Sequence, residues 1–150
     1  MDTPFNVVKL FCDASYDVRT KVAGVAVLLR FSRGAGWIDQ KFIRHRLYVN
    51  DSNTAEVIAT EIAIGLAKSI PLAGCALYLH SDSTSALGRA QEWFDWRSYR
   101  LRSFITVHIP GHRGHLDAMS AINTWCDLEA RREMRRVRDL IQYPHLVSEQ

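Results

Sequence analysis

Along the first third of the chain, apolar residues come in short runs separated by polar turns. "NVVKLFCD" (6–13) is an apolar run that ends on an acid, and it reads as a buried strand. "AGVAVLLRF" (23–31) reads as a second strand, with "SRGAGW" as the turn that follows it. "KFIRHRLYV" (41–49) alternates apolar and basic residues, which predicts a third strand with one solvated face. The short connections predict an antiparallel meander. The period then changes. "NDSNTAEVIATEIAIGLAKSI" opens with capping residues and continues in helix formers. Ile58, Ile62 and Leu66 recur every four residues and are expected to face the core. "CALYLHSD" (75–82) is a short apolar strand that again ends on an acid. "STSALGRAQEWF" predicts a helix with a serine cap, and "SFITVHIP" (103–110) a last strand. "GHRGHLDAMSA" reads as a loop, and the chain is expected to be helical from about Ala121 to about Ile141. The order βββαβαβα predicts an α/β fold: a mixed five-stranded sheet with helices on both faces. Its first three strands are antiparallel and its last two parallel to the first.

The chain has 150 residues, enough for one domain with a real core. We read it as a single domain, with its core over about 6–140 and a tail over about 142–150. No apolar run approaches the ~20 residues that span a bilayer, so no membrane partner is expected. The N-terminus "MDTPFNVVKLF" does not read as a signal peptide. Cys12, Cys75 and Cys126 are widely spaced and odd in number, as expected for reduced, buried thiols in a cytoplasmic protein. Net charge is only +3, but arginine is clustered in "WRSYRLR" (96–102) and "RREMRRVR" (131–138). Such clusters suit a polyanion, most commonly nucleic acid, and equally suit a solvated helix face.

Candidate chemistry comes from the acids. Asp13 and Asp82 each end a strand, and parallel neighbours would bring both to one sheet edge, where open α/β sheets keep their ligands. Glu56 falls in the first turn of the first helix, whose small face (Thr60, Ala63, Ala67) suits packing on the sheet. Asp127 is expected to start the last helix. Gathered carboxylates repel one another, and a hard divalent cation with oxygen ligands relieves that repulsion. Two such ions about 4 Å apart suit phosphodiester hydrolysis.

Four motifs in this order resemble the ribonuclease H family, type 1, over roughly residues 6–140: "FCDAS", "NTAEVIATEIAI", "LHSDSTSAL" and "IPGHRGH…NTWCDLEA". The resemblance implies that Asp13 bridges two Mg²⁺ ions, with Mn²⁺ as the alternative metal. Asp127 would complete the site of the ion that activates water, and Glu56 with Asp82 the other. It implies that His112 assists proton transfer or product release and that Asn53 reads the minor groove of an RNA–DNA hybrid. Ser15 and Asn123 match supporting positions. Trp93 matches an aromatic that lines the DNA-strand channel, with Arg97 and Arg100 following its helix as candidate backbone contacts. The sequence also departs from the family. Ala14 stands where glycine is usual, Thr84 replaces a glutamine near the second aspartate, and Asp51 replaces a phosphate-binding threonine. The span from Asp82 to the GH loop has no room for a basic protrusion. The stretch from His112 to Asp127 is long, which leaves Asp117 as a rival fourth carboxylate.

The expected function is an endonuclease that cuts the RNA strand of RNA–DNA hybrids, acting as a monomer. The alternatives are a non-catalytic hybrid-binding module and another nuclease or transposase of the same fold.

Overall fold

The computed structural model describes residues 5–33, 36–110 and 118–147. Its elements are β1 (Phe5–Asp17), β2 (Val22–Arg33), β3 (Gly36–Arg46), α1 (Ser52–Ala67), β4 (Ala76–Ser81), α2 (Thr84–Trp93), β5 (Ser103–His108), α3 (Ala118–Gln142) and a final turn α4 (Pro144–Val147). A 3-10 turn over Trp96–Tyr99 links α2 to β5. The sheet order is β3-β2-β1-β4-β5. β2 runs antiparallel to both β1 and β3, while β4 is parallel to β1 and β5 to β4. This is the mixed five-stranded sheet that the hydrophobic pattern predicts.

Strand alternation sends successive side chains to opposite faces. Val8, Leu10 and Cys12 of β1 join a core with α1 and α2, while Phe11 joins Ile122, Cys126 and Ala130 of α3 on the other face. Leu10, Leu29, Leu77 and Leu79 are fully buried. Burying each of them is worth ~1.5–3 kcal/mol relative to exposure. All three cysteines are buried free thiols. No helix among the described residues is long and apolar enough to cross a membrane.

Four expectations change. β1 runs on to Asp17, so Asp13 lies within the strand, paired with Ala26, rather than at its end. β3 spans Gly36–Arg46 rather than 41–49, and Trp37 to Gln40 pair with the end of β2. It is an edge strand, mostly exposed on both faces, so its backbone pairing outruns its apolar pattern. Tyr48 adopts a left-handed φ of 59°, which ends the strand direction before Val49. In α1, Ile58, Ile62 and Leu66 are only half-buried. Ala59, Ala63 and Ala67, with Thr60 and Ile64, take the fully buried positions, and the four small residues let the helix axis approach the sheet. Finally, α3 begins at Ala118, so Asp127 lies more than two turns inside the helix rather than at its start.

Candidate metal centre

The C-terminal half of β1 delivers Asp13, and the chain leaving β4 delivers Asp82. Both lie at the same sheet edge because β1 and β4 are parallel. Asp51 caps α1 by accepting a hydrogen bond from the Thr54 amide at 2.6 Å, which fixes the entry of a helix whose fifth residue is Glu56. The cap is therefore Asp51, and Asn53 stands exposed one turn before Glu56. Ser83 caps α2 through the Ala86 amide at 3.1 Å, fixing the turn that carries Asp82.

Asp13, Glu56 and Asp82 each present a carboxylate oxygen, all within 4.8 Å of one another. Asp13 is only 3% exposed, and the Ala14 amide donates to its Oδ1 at 2.9 Å. Burial, then the charges of Asp82 and Asp127, push the Asp13 carboxyl up to about 8. Burial, then Asp13 and Asp82, push Glu56 up to about 9. Glu56 Oε2 is buried with no hydrogen-bond partner. A buried carboxylate oxygen without a partner costs free energy, and two further acids beside it add repulsion. One hard cation with oxygen ligands answers both problems, so the residues present fit a divalent ion of the Mg²⁺ class. Asp13, Glu56 and Asp82 would hold it.

Asp127 stands apart from this trio. Arg131, one turn further along α3, donates through Nη2 to both Asp127 oxygens at 3.1 and 2.9 Å. Its charge still reaches Asp13. Around the trio, Ser15 is half-buried two residues beyond Asp13, and Thr84 is exposed as the first residue of α2. Asn123 is buried on α3, one turn before Asp127. His112 and Asp117 lie outside the described residues.

The remaining sequence candidates lie elsewhere. Trp93 ends α2, 40% exposed, with its ring 5.9 Å from Phe94. Arg97 stacks on Trp96 at 4.6 Å, and both Arg97 and Arg100 are exposed. The Arg100 carbonyl accepts from Gly74 N, and Arg102 N donates to the Cys75 carbonyl. These arginines therefore sit at the start of β4, the end opposite Asp82, ~20 Å away at ~3.3 Å per strand residue. In the second cluster Arg131, Arg132, Arg136 and Arg138 pair with Asp127, Glu129, Glu133 and Asp139.

Two residues of the site's surroundings went unnoticed in the sequence. His80 is buried, stacked on Phe11 at 4.1 Å, and donates from Nδ1 to the Leu10 carbonyl at 3.0 Å. Burial pushes its pKa down to about 4, so the ring is neutral and packs as an apolar plate against Phe11. A histidine within an apolar strand, two residues before an acid, was the available signal. Arg131 was signalled by its i,i+4 spacing from Asp127.

No family model matches the chain, and no curated protein matches it in sequence. Its fold is shared with solved structures. LC11-RNase H1, isolated from compost by a metagenomic approach, superposes with a TM-score of 0.64 at 14% identity, covering 88% of this chain and 98% of that one. LC9-RNase H1, described as a type 1 RNase H with the type 2 active-site motif, gives 0.61 at 14% identity, covering 89% and 74%. The PFV RNase H domain gives 0.57 at 14% identity, covering 90% and 96%. The chain thus has the ribonuclease H fold.

Proposed function

We propose that this protein is a metal-dependent nuclease that hydrolyses the RNA strand of RNA–DNA hybrids, leaving 3′-hydroxyl and 5′-phosphate ends. The observation that carries the reading is the trio Asp13, Glu56 and Asp82, one buried and two half-buried, with its unpartnered Glu56 oxygen, brought together by β1, α1 and the exit of β4. Two Mg²⁺ ions, or Mn²⁺ in their place, would supply Lewis-acid activation of water and charge neutralisation at the phosphate. In this proposal Asp13 is the shared ligand, Glu56 and Asp82 complete one site, and Asp127 completes the other after exchanging Arg131 for metal. Asn53 and Glu56 lie one turn apart on α1 and are assigned to the 2′-hydroxyl side of the substrate, the group that marks RNA. Ser15, Thr84 and Asn123 are assigned to supporting contacts. His112 is assigned to proton transfer or product release.

A binding module without chemistry fits less well. Three acids facing a phosphate backbone repel it unless metal intervenes. Incubation with labelled hybrid, double-stranded RNA, double-stranded DNA and single strands in Mg²⁺ tests the reading. Cleavage confined to the hybrid's RNA strand, and lost in EDTA, is expected. A hybrid bound but uncut in both Mg²⁺ and Mn²⁺ makes the protein a binding module instead.

The placement of Arg97, Arg100 and Arg102 adds a second expectation. At ~3.4 Å per phosphate on one strand, ~20 Å from the acids corresponds to about six phosphates. We assign these arginines, with Trp93, to the distal part of the substrate. Neutralising all three is expected to lower the slope of log affinity against log salt by about 2–3, measured by hybrid binding in Ca²⁺. The RNA-strand preference is expected to persist. An unchanged slope removes them from the substrate track.

A further inference from the structure

The sheet face that carries α3 is only partly covered. One register row runs across all five strands as Ile105, Tyr78, Lys9, Arg30 and Asp39, and every member is at least partly exposed. The next row towards the acids includes His80, Phe11 and Leu28, which are buried where α3 begins to pack. On the open part, Trp37 of β3 is 51% exposed, and the Lys9 ammonium lies 5.0 Å from its ring centre. Four residues along β3, on the same side, Lys41 lies 5.1 Å from the ring centre of Trp125 on α3. Trp125 in turn begins a cavity of about 280 Å³ on the outer face of α3, which Arg132 and Arg135 also line.

Cation and indole thus alternate from β3 onto α3. Lys9, Lys41 and Arg135 form no salt bridge among the described residues, whereas the neighbouring Arg30 and Arg132 are paired with Asp39 and Glu129. Cations that rest on indoles without a salt-bridged carboxylate call for an anion. One exposed and one half-buried indole call for flat partners, and the ~13 Å from Trp37 to Lys41 calls for an extended one. A single-stranded nucleic acid meets all three requirements, with phosphates on the cations and bases on the rings. We infer that this track, running from Lys9 and Trp37 through Lys41 and Trp125 to Arg135, binds single-stranded nucleic acid without metal. It is separate from the carboxylate trio: Lys9 precedes Asp13 by four residues, ~13 Å along β1.

The test uses the full chain in EDTA and a fluorescein-labelled oligothymidine of about fifteen nucleotides at about 50 mM salt, read by anisotropy. EDTA keeps the outcome independent of whether the acids support cleavage. Binding that weakens with salt is expected, and Trp37→Ala should reduce affinity roughly 5- to 150-fold, the range for one lost base stack. Trp125 is half-buried, so Lys9→Gln with Lys41→Gln provides a second variant that leaves both indoles in place; it should lower both the affinity and the salt slope. The inference is overturned if the parent does not bind, or if these variants bind as the parent does. It is also overturned if an abasic strand of equal length binds as tightly. Self-association that Trp37→Ala abolishes would instead make this face an interface with a second copy, and would equally overturn it.

Discussion

Asp13→Asn is expected to reduce hybrid cleavage by at least about 10³-fold while raising the stability of the metal-free protein. The first effect follows from position. Asp13 is the most buried of the trio and touches the influence of all three other acids. Losing a bridging charge forfeits several kcal/mol of Lewis-acid stabilisation, and each ~1.4 kcal/mol is tenfold in rate. The second effect follows from linkage. Burial and mutual repulsion push the Asp13 and Glu56 carboxyls together up to about 8 and about 9 in the fold, against ordinary carboxylate values near 4 when unfolded. Between those limits the folded metal-free chain binds more protons than the unfolded chain, so its stability falls as pH rises from about 4 towards 9. Asparagine has no proton to lose at Asp13's position and removes one charge from Glu56's surroundings. The substitution should therefore flatten this fall, adding ~1–3 kcal/mol at pH 8. Thermal melts in EDTA at pH 5 and pH 8, beside cleavage assays in Mg²⁺, read both effects. Addition of Mg²⁺ should raise the parent's melting temperature at pH 8 more than the variant's. Full cleavage by Asp13→Asn removes Asp13 from the centre, and a parent melt that rises between pH 5 and pH 8 contradicts the burial of the pair.

The trio was legible because the ends of apolar runs are legible. An apolar run that stops on an acid marks a charge, and two such runs in parallel must deliver those charges to one region of the sheet. For Asp82 the acid also follows the strand end, whereas β1 runs four residues past Asp13, so there the acid ended the apolar run and not the strand. Glu56 followed because capping residues locate a helix start to within a turn. Asp127 was harder: an apolar period shows that a helix exists but places its first residue poorly, and α3 starts three residues earlier than expected, leaving the acid deep in the helix. Its engagement with Arg131 is a side-chain choice between two partners that spacing alone does not decide. The arginines of "WRSYRLR" were read as following the Trp93 helix towards the expected DNA-strand channel. The return of α2 along the sheet instead carries them to the far end of β4. Sequence distance is a poor guide there, because a helix antiparallel to its strand cancels the advance.

Gly24→Ala is expected to be strongly destabilising, although it adds a single methyl group. Gly24 lies in β2, opposite Ser15 of β1, on the face that receives α3. A Cβ built there would stand 2.1 Å from the Ala130 carbonyl oxygen and 2.5 Å from the Met134 amide nitrogen. Both are backbone atoms, so no rotamer change relieves the clash and the helix itself must retreat. That retreat opens the layer formed by Cys126 and Ala130 against Phe11 and Leu28, and by Met134 and Val137 against Val22. Overpacking typically costs 1–3 kcal/mol, and with backbone on the receiving side we expect ~3 kcal/mol or more. Glycine inside a strand pattern is the sequence signal for close backbone approach, and here the approach is that of α3. Gly65 and Gly88 provide the contrast. Each is exposed in a helix, and an added Cβ meets nothing within 4 Å, so alanine there should stabilise by ~0.5–1 kcal/mol. Urea titrations of the three variants should show the midpoint falling for Gly24→Ala and rising for the other two, with slopes near the parent's. Because Asp127 precedes Ala130 by three residues on the displaced helix, cleavage by Gly24→Ala should also fall under conditions where the variant is still folded. A Gly24→Ala midpoint equal to the parent's would mean that α3 does not rest on β2 at this distance. The assignment of Asp127 to the proposed second metal site would then have to be abandoned with it.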